Sequence, residues 1–355
     1  MKKGGSSLDR YRSEGIRKLI IISVSLLFLI VVIVISLSLG PSSMTPGEAF
    51  MAFFGEGESK HELILWNIRI PRLITAVVAG LGLAVSGAAM QSILRNPLGS
   101  PFTLGISQAA AFGAAFSIVV LGAGTMGSSH ADAVSFDEGY LMTISAFLFS
   151  MLATAVIFLL ARYKRASPES MILTGVAMGS LATAGITALE YFADEVELAA
   201  IIFWTFGDMG RPTWDEVPIL VGVVIAGLIF FCFISLRLNA LDSGEQSAKS
   251  LGVNVTGLRL ITLIVSSLVT ASVISFVGII GFVGLVIPHI GRKLIGGDNR
   301  YLIPFSASLG AILLLSADTV ARTVISPVVL PVGILTAFIG APLFIYLVIR
   351  GREYW

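Results

Sequence analysis

Apolar stretches of about 20 residues recur along this chain, and they limit its possible folds more than any other feature. Ten of them lie at residues 19–39, 71–93, 103–122, 140–161, 170–190, 216–236, 258–277, 279–295, 302–321 and 332–349. A helix needs about 20 such residues to cross the ~30 Å hydrocarbon core of a membrane. The sequence therefore predicts an all-α, polytopic membrane protein with ten transmembrane helices.

The shortage of charged residues excludes other classes of protein. Only 13% of the residues are charged, against about 25% in an average soluble domain. A soluble enzyme, a disordered chain or a coiled coil would need more polar side chains than this. The single cysteine, Cys232, excludes both a disulfide within the chain and a cysteine-based metal cluster.

Lysine and arginine positions predict the direction of the spans, because cytoplasmic loops collect these residues. With ten spans and the N-terminus inside, 18 of the 23 basic residues face the cytoplasm. The other five, predicted to lie outside, are Lys60, Arg69, Arg72, Arg211 and Arg322. An odd number of spans would place Arg350 and Arg352 outside. We therefore expect both termini in the cytoplasm, with residues 1–18 as a cytoplasmic tail and 19–355 as one membrane domain.

Several common sites are missing from the sequence. No G-x-x-x-x-G-K-[ST] loop is present, so this chain has no P-loop for ATP. No strong set of metal ligands occurs, and we expect no catalytic residues, no cofactor, no metal site and no nucleic acid partner. Asp318 is an ionisable residue near the end of a span and is a functional candidate for that reason. A simple ion pair with Arg322, four residues later, is an equal alternative.

Several short motifs rise above this background. They are R-I-P-R at 69–72, G-L-G-L-A-V-S-G-A-A-M-Q at 80–91, R-N-P-L-G-S-P at 95–101, G-E-Q-S-A-K-S-L-G at 244–252, G-I-I-G-F-V-G-L-V-I-P-H-I-G-R at 278–292, A-D-T-V-A-R at 317–322, L-P-V-G-I at 330–334 and G-A-P at 340–342. Each motif alone is weak, but their order and their predicted sides of the membrane are specific together.

In this combination the chain resembles the permease family that imports iron–siderophore complexes, haem and cobalamin. The resemblance runs from Arg69 to Arg350. It implies a multi-pass permease of the cell membrane that is not itself an enzyme and is surrounded by membrane lipid. It also implies a dimer with a second copy or a close paralogue, two cytoplasmic ABC ATPase subunits, an extracytoplasmic substrate-binding protein and a metal-chelate substrate.

The stretch 240–257 is polar and contains a short helix with one apolar side. The resemblance implies that it is the helix that receives the movement of the ATPase. The candidate coupling residues are Gly244, Glu245, Ala248, Leu251 and Gly252. From periodicity alone, a helix that lies on lipid headgroups explains this stretch equally well.

Two further sites follow from the resemblance. Arg69, Arg72 and Arg322 match arginines that meet acidic residues of the binding protein, and a planar guanidinium suits such carboxylates. Anchoring to lipid headgroups is the alternative. Asn96 and Leu98 match residues of a cytoplasmic gate, whereas a plain turn ended by Pro97 is the alternative.

Two other classes of function remain as rivals at this stage. The first is a membrane-embedded enzyme, for example a protease that uses Ser86 and His289, although no third group is available to orient the histidine. The second is an ion-coupled carrier, which would be expected to have buried acids. Only Glu190 and Asp318 lie near span ends.

Overall fold

The computed structural model describes residues 7–40, 44–123, 139–164, 167–326 and 328–350. All regular secondary structure within these ranges is helical. The helices are α1 Ser7–Ser38, α2 Pro46–Phe53, α3 Ser59–Ile64, α4 Ile70–Leu94, α5 Ile106–Val119, α6 Gly139–Tyr163, α7 Pro168–Phe192, α8 Glu195–Thr205, α9 Val217–Asp242, α10 Glu245–Ser250, α11 Val255–Val277, α12 Val283–Ile295, α13 Asn299–Thr323 and α14 Val332–Arg350. A π-helical segment, Leu65–Arg69, joins α3 to α4.

Each predicted span coincides with one of these helices, and the all-α, multi-pass prediction is confirmed. In the described part of the chain, seven helices are long and apolar enough to cross a membrane. They include α1, α6, α7, α9, α11 and α13, together with the continuous segment α3–α4. The helices α5, α12 and α14 match the other three predicted spans but are shorter.

The segment between the seventh and eighth predicted spans is longer in the structure than in the sequence prediction. Helix α11 ends at Val277, followed by Gly278 with φ +82°, and α12 begins only at Val283. The structure therefore places the helical part of the eighth predicted span, roughly 279–295, at Val283–Ile295. Phe282, at the N-cap of α12, has φ +68°. A left-handed conformation interrupts the helix and costs a non-glycine residue about 1–2 kcal/mol.

Helix α4 lies at the centre of the molecule and packs against α9, α11, α12 and α13. Small residues make this possible. A Cβ atom on Gly80 would overlap the backbone of Gly310 on α13, and one on Gly87 would overlap Gly284 at the start of α12. Backbones that approach this closely gain van der Waals contact that larger side chains would prevent. Gly80 and Gly310 thus form a point at which the backbones of α4 and α13 approach each other closely.

Helix α1 lies at the periphery. Most residues of its apolar stretch are exposed in the single chain, including large apolar side chains such as Leu27 and Phe28. Such a surface is typical of a helix that contacts lipid. The helix starts at Ser7, so residues 7–18 of the predicted tail continue the first span as helix.

Candidate functional site

A buried cluster of charged residues lies at the end of the molecule that the sequence predicts to face outside. Asp318, on α13, is completely buried and binds two arginines. Its Oδ1 atom lies 2.9 Å from Nη2 of Arg72, and its Oδ2 atom lies 3.0 Å from Nε of Arg322. Arg72 also contacts the half-exposed Asp208, with 3.0 Å between Nη2 and Oδ1. The carboxylate of Asp318 thus joins α4 to α13.

The same end of the molecule holds the C-terminus of α1. Arg322 donates from Nη1 to the carbonyl oxygen of Leu39 at 3.0 Å and from Nη2 to Oγ of Ser36 at 2.9 Å. Arg69 donates to the carbonyl oxygens of Leu37 and Ser38. The last carbonyls of a helix lack partners within the helix and are stabilised by cations. These two arginines therefore fasten α1 to α4 and α13.

The three arginines predicted to dock a binding protein are thus brought together, but their side chains are mostly buried. The expected i,i+4 pair between Asp318 and Arg322 is confirmed. Asp208 and Ser36 were not predicted as partners of these arginines. Ser36 lies 286 positions before Arg322, the arginine that it binds, and the spacing of residues in the sequence does not reveal a contact over such a distance.

At the opposite end, the predicted coupling residues form the short helix α10. Gly244 precedes it with φ +119°, a conformation that favours glycine. Ala248 is completely buried in an apolar cluster with Leu241 and Leu258, whereas Leu251 is 70% exposed. One side of α10 is therefore anchored to the molecule. Beyond it, Gly252 has φ +80° and open space where a side chain would lie.

Glu245 holds α10 from its first turn. Its carboxylate lies 3.0 Å from Nζ of Lys249 and 3.3 Å from Nη1 of Arg259 on α11. The hydrogen bond from Lys249 and the charge of Arg259 lower the pKa of the Glu245 carboxyl below its ordinary value. The group therefore remains ionised at neutral pH, and the ion pair with Arg259 persists there.

The predicted gate residues form a tight turn directly after α4. Arg95 ends the helix in a left-handed conformation with φ +46°. The Oδ1 atom of Asn96 then accepts a hydrogen bond from the backbone N–H of Leu98 at 2.9 Å. This Asx turn leaves the side chain of Leu98 exposed. The geometry fits both a gate and a plain turn.

A polar network connects the ends of several helices beside this turn. Asp242, the last residue of α9, accepts hydrogen bonds from Nδ2 of Asn299 at 2.7 Å and from Oγ of Ser92 at 3.1 Å. Arg292 on α12 donates to Oε1 of Gln91 on α4. This network was not predicted, because the residues that form it come from four separate segments of the sequence.

The open space along the helices has a neutral lining. A groove of about 580 Å³ runs between α5 and α7, lined by Gln108, Ser180, Thr183, Thr187 and several apolar residues. A more enclosed cavity of about 220 Å³ lies beside Ser107, Thr270 and Phe282. Among the residues that the structure describes, no ionisable side chain lines either space, so the described linings present no fixed charge.

The described residues do not support the protease hypothesis. Neither Oγ of Ser86 nor Nε2 of His289 has a hydrogen-bond partner, so the two side chains do not form a hydrogen-bonded pair. Within the described ranges, no three histidine, cysteine, aspartate or glutamate side chains come close enough to hold a metal ion.

Comparison with known proteins gives a consistent result. The model of the FecCD transport family matches residues 28–350. An ABC transporter permease protein of Methanocaldococcus jannaschii is 49% identical over 341 residues, which cover 96% of this chain and 97% of that protein. The hemin transport system permease protein of Yersinia pestis is 37% identical, covering 81% of this chain and 84% of that protein.

A solved structure matches as well. It is described as an inward-facing conformation of a metal-chelate type ABC transporter, and it superimposes with a TM-score of 0.80 at 32% identity. The match covers 93% of this chain and 99% of the solved chain. The sequence comparison and the structural comparison therefore both match this chain to permease proteins of ABC transporters.

Proposed function

The chain belongs to the FecCD transport family, and we propose that it pairs with a second copy or a close paralogue to enclose a translocation pathway. Members of this family are the permease subunits of ABC importers. This chain is accordingly a multi-pass protein of the cell membrane and not itself an enzyme. ATP hydrolysis belongs to two cytoplasmic ATPase subunits that bind it.

The cargo that we propose is a metal chelate, namely a ferric siderophore, haem or cobalamin. The hemin permease relative and the metal-chelate neighbour support this class. The groove between α5 and α7 supports it too, because hydroxyl and amide groups without charge suit a bulky chelate that needs room more than tight ligands. Recognition of the metal then falls to an extracytoplasmic substrate-binding protein.

We propose ten spans for the topology, with both termini in the cytoplasm. The short helices α5, α12 and α14 then count as spans beside the seven longer segments. The distribution of basic residues supports an even number. In this arrangement residues 1–18 are the cytoplasmic tail, 19–355 form the membrane domain, and α10 and the Asn96–Leu98 turn face the ATPases.

The observation that carries the proposal is the geometry of α10. A helix of six residues is too short to be stable alone. Here Ala248 and the Glu245–Arg259 ion pair hold it against α9 and α11, so that Leu251 projects outward. An anchored helix with an exposed apolar side chain fits the cleft of a partner protein. Gly244 and Gly252 form the bends on either side.

Docking of the binding protein is proposed at Arg72, with Arg69 and Arg322 as its support. Arg72 forms an ion pair with Asp208, whose side chain is half exposed, so this contact lies at the rim of the cluster. A carboxylate of the binding protein would replace Asp208 at the rim, whereas Asp318 would keep its contact with Arg72. Arg69 and Arg322 bind the end of α1. They would support docking indirectly, because they fix the position of α1 beside Arg72.

Asn96 and Leu98 are proposed as the cytoplasmic gate. Movement of α10 would tilt the neighbouring ends of α4 and α11, and the exposed Leu98 would leave or enter the path. The hydrogen bond from the N–H of Leu98 to Oδ1 of Asn96 keeps the turn rigid, so that a tilt of α4 carries Leu98 with it. This is an alternating-access mechanism driven from the ATPase side.

The test is to mix the purified permease in proteoliposomes with the cassette ATPase from the same source. We expect the two to co-purify and the ATPase rate to depend on the permease. An embedded protease would cleave a reporter substrate without ATPase, and an ion-coupled carrier would respond to a proton or sodium gradient alone. Absence of any complex with the ATPase would contradict the proposal.

A further inference from the structure

Arg259 on α11 is an arginine that the coupling and gate residues do not include. Its side chain is 3% exposed at the end of the molecule where α10 lies. Arg237, on α9 at the same end, is exposed. Burial of a guanidinium is unfavourable unless its donors are satisfied, so the contacts of Arg259 show what holds it there.

The guanidinium of Arg259 binds two different elements. Its Nε atom donates to the carbonyl oxygen of Ile93 at 3.1 Å. Its Nη1 and Nη2 atoms both lie 3.3 Å from Oε2 of Glu245. Ile93 lies in the last turn of α4, and its carbonyl is one of the helix-terminal acceptors that need an outside donor. One side chain on α11 thus joins α10 to the end of α4.

The end of α4 is also where the proposed gate begins. Two residues after Ile93, Arg95 turns the chain into the Asn96–Leu98 turn. Glu245 is the first residue of α10. The path from α10 to the gate therefore consists of one ion pair, one guanidinium and one hydrogen bond to the backbone.

We propose that Arg259 is a positioning residue that makes the end of α4 move together with α10. This rests on the proposed function of α10 as the ATPase-coupling helix, and it adds the contact through which the movement reaches the gate. Arginine suits the role because its planar fork binds two partners in fixed directions. Lysine carries its three donors on one nitrogen at the end of a flexible stem, so it lacks the fixed directions of the guanidinium fork.

The competing explanation is that Arg259 only satisfies the end of α4. In that case loss of its side chain would lower stability, but α10 and α4 would still move together through their apolar contacts. The two explanations differ in one measurable quantity, which is the change in distance between α10 and the end of α4 when ATP is trapped.

The experiment uses the full permease with its cassette ATPase in nanodiscs. Cys232 is replaced by serine, and spin labels are attached to cysteines at the exposed positions Arg95 and Ser250. The distance between the labels is measured without nucleotide and with ATP trapped by vanadate.

The measurement is repeated in the variants Arg259→Gln, Arg259→Lys and Glu245→Ala, and Arg237→Gln is the matched control. Glu245→Ala keeps the bond from Arg259 to Ile93, so it covers the case in which Arg259→Gln does not fold.

We expect the distance to stay constant on trapping in the parent protein and in Arg237→Gln, since α10 and the end of α4 move together. In Arg259→Gln and Arg259→Lys the distance should shift beyond the width of the parent distribution, while the ATPase still co-purifies. In Glu245→Ala the same shift is expected in the complex that forms with the ATPase. A constant distance in Arg259→Gln and Glu245→Ala would overturn the inference and leave the proposed function intact. Failure of the parent protein to bind the ATPase would overturn both.

Discussion

Asp318 binds Arg72 across 246 positions of sequence, with its Oδ1 atom 2.9 Å from Nε of the arginine. Asp318 is completely buried and also binds Arg322, so one carboxylate neutralises part of the charge of two arginines. The two arginines lie on α4 and α13, whose backbones meet at Gly80 and Gly310. An ionic contact and a close backbone contact thus join the same two helices.

Replacing Asp318 should destabilise the protein strongly. In Asp318→Asn the arginines on α4 and α13 lose their shared negative charge inside the molecule, and breaking a buried pair in this way costs about 3–5 kcal/mol. The control is Asp208→Asn, where the lost partner is half exposed and the cost is at most about 1 kcal/mol. Thermal unfolding in detergent measures both. Equal melting temperatures for the two variants would contradict the role of Asp318.

Removing the charge of Asp208 should strengthen docking if Arg72 meets the binding protein. Asp208→Asn removes the internal competitor for Arg72, so we expect tighter association at low salt and a smaller gain at high salt, where surface charges are screened. Surface plasmon resonance with the binding protein measures this. The charge reversals Arg72→Glu and Arg322→Glu are less informative, because each places a second carboxylate beside the buried Asp318. An unchanged affinity for Asp208→Asn would count against docking at Arg72.

A charge at position 251 should prevent assembly with the ATPase. Leu251→Asp turns the exposed apolar side chain of the α10 region into a carboxylate, while Ala248 still anchors the helix. We expect the permease to insert normally and to lose the ATPase during co-purification. Leu294→Asp, which changes another exposed leucine, on α12, is the control. Gly252→Asp should have a similar effect through its charge, with added strain from the positive φ.

The proposed gate can be tested at Asn96 with a matched pair of variants. Asn96→Ala removes the acceptor for the N–H of Leu98 and loosens the turn, whereas Asn96→Asp keeps an oxygen acceptor at the same place. We expect Asn96→Ala to raise leakage of a small fluorescent dye through the reconstituted transporter, and Asn96→Asp to leave it near the parent level. Identical leakage in both variants would favour the plain turn.

The crossing of α4 and α13 should not tolerate a methyl group. A Cβ atom at Gly310 would overlap the Gly80 carbonyl oxygen, and Gly310→Ala should lower the melting temperature. Overpacking of this kind costs about 1–3 kcal/mol. Gly222→Ala on α9 has open space around its Cβ and should be neutral or stabilising by up to about 1 kcal/mol. A fall in melting temperature for Gly222→Ala alone would contradict the packing argument.

The sequence by itself determined the fold class, the kind of protein and the positions of the helices that match its ten apolar stretches. Apolar stretches of membrane length predict helical spans, because backbone groups in hydrocarbon must form their hydrogen bonds within the segment. This rule depends only on the segment itself and not on the helices that it packs against. The break between α11 and α12 has a local cause as well. Gly278 and Phe282 have positive φ, and hydropathy does not register backbone conformation.

Only the tertiary structure decided what each polar side chain does. The motifs predict that Arg69, Arg72 and Arg322 face a partner protein, and folding adds the contacts of their side chains with Asp318 and the end of α1. Arg259 looks like one of many cytoplasmic basic residues until α4, α10 and α11 meet around it. Hydrophobic length is a property of one segment, whereas the partner of a buried charge comes from another segment. That is why sequence spacing identified the helices and only packing identified the contacts between them.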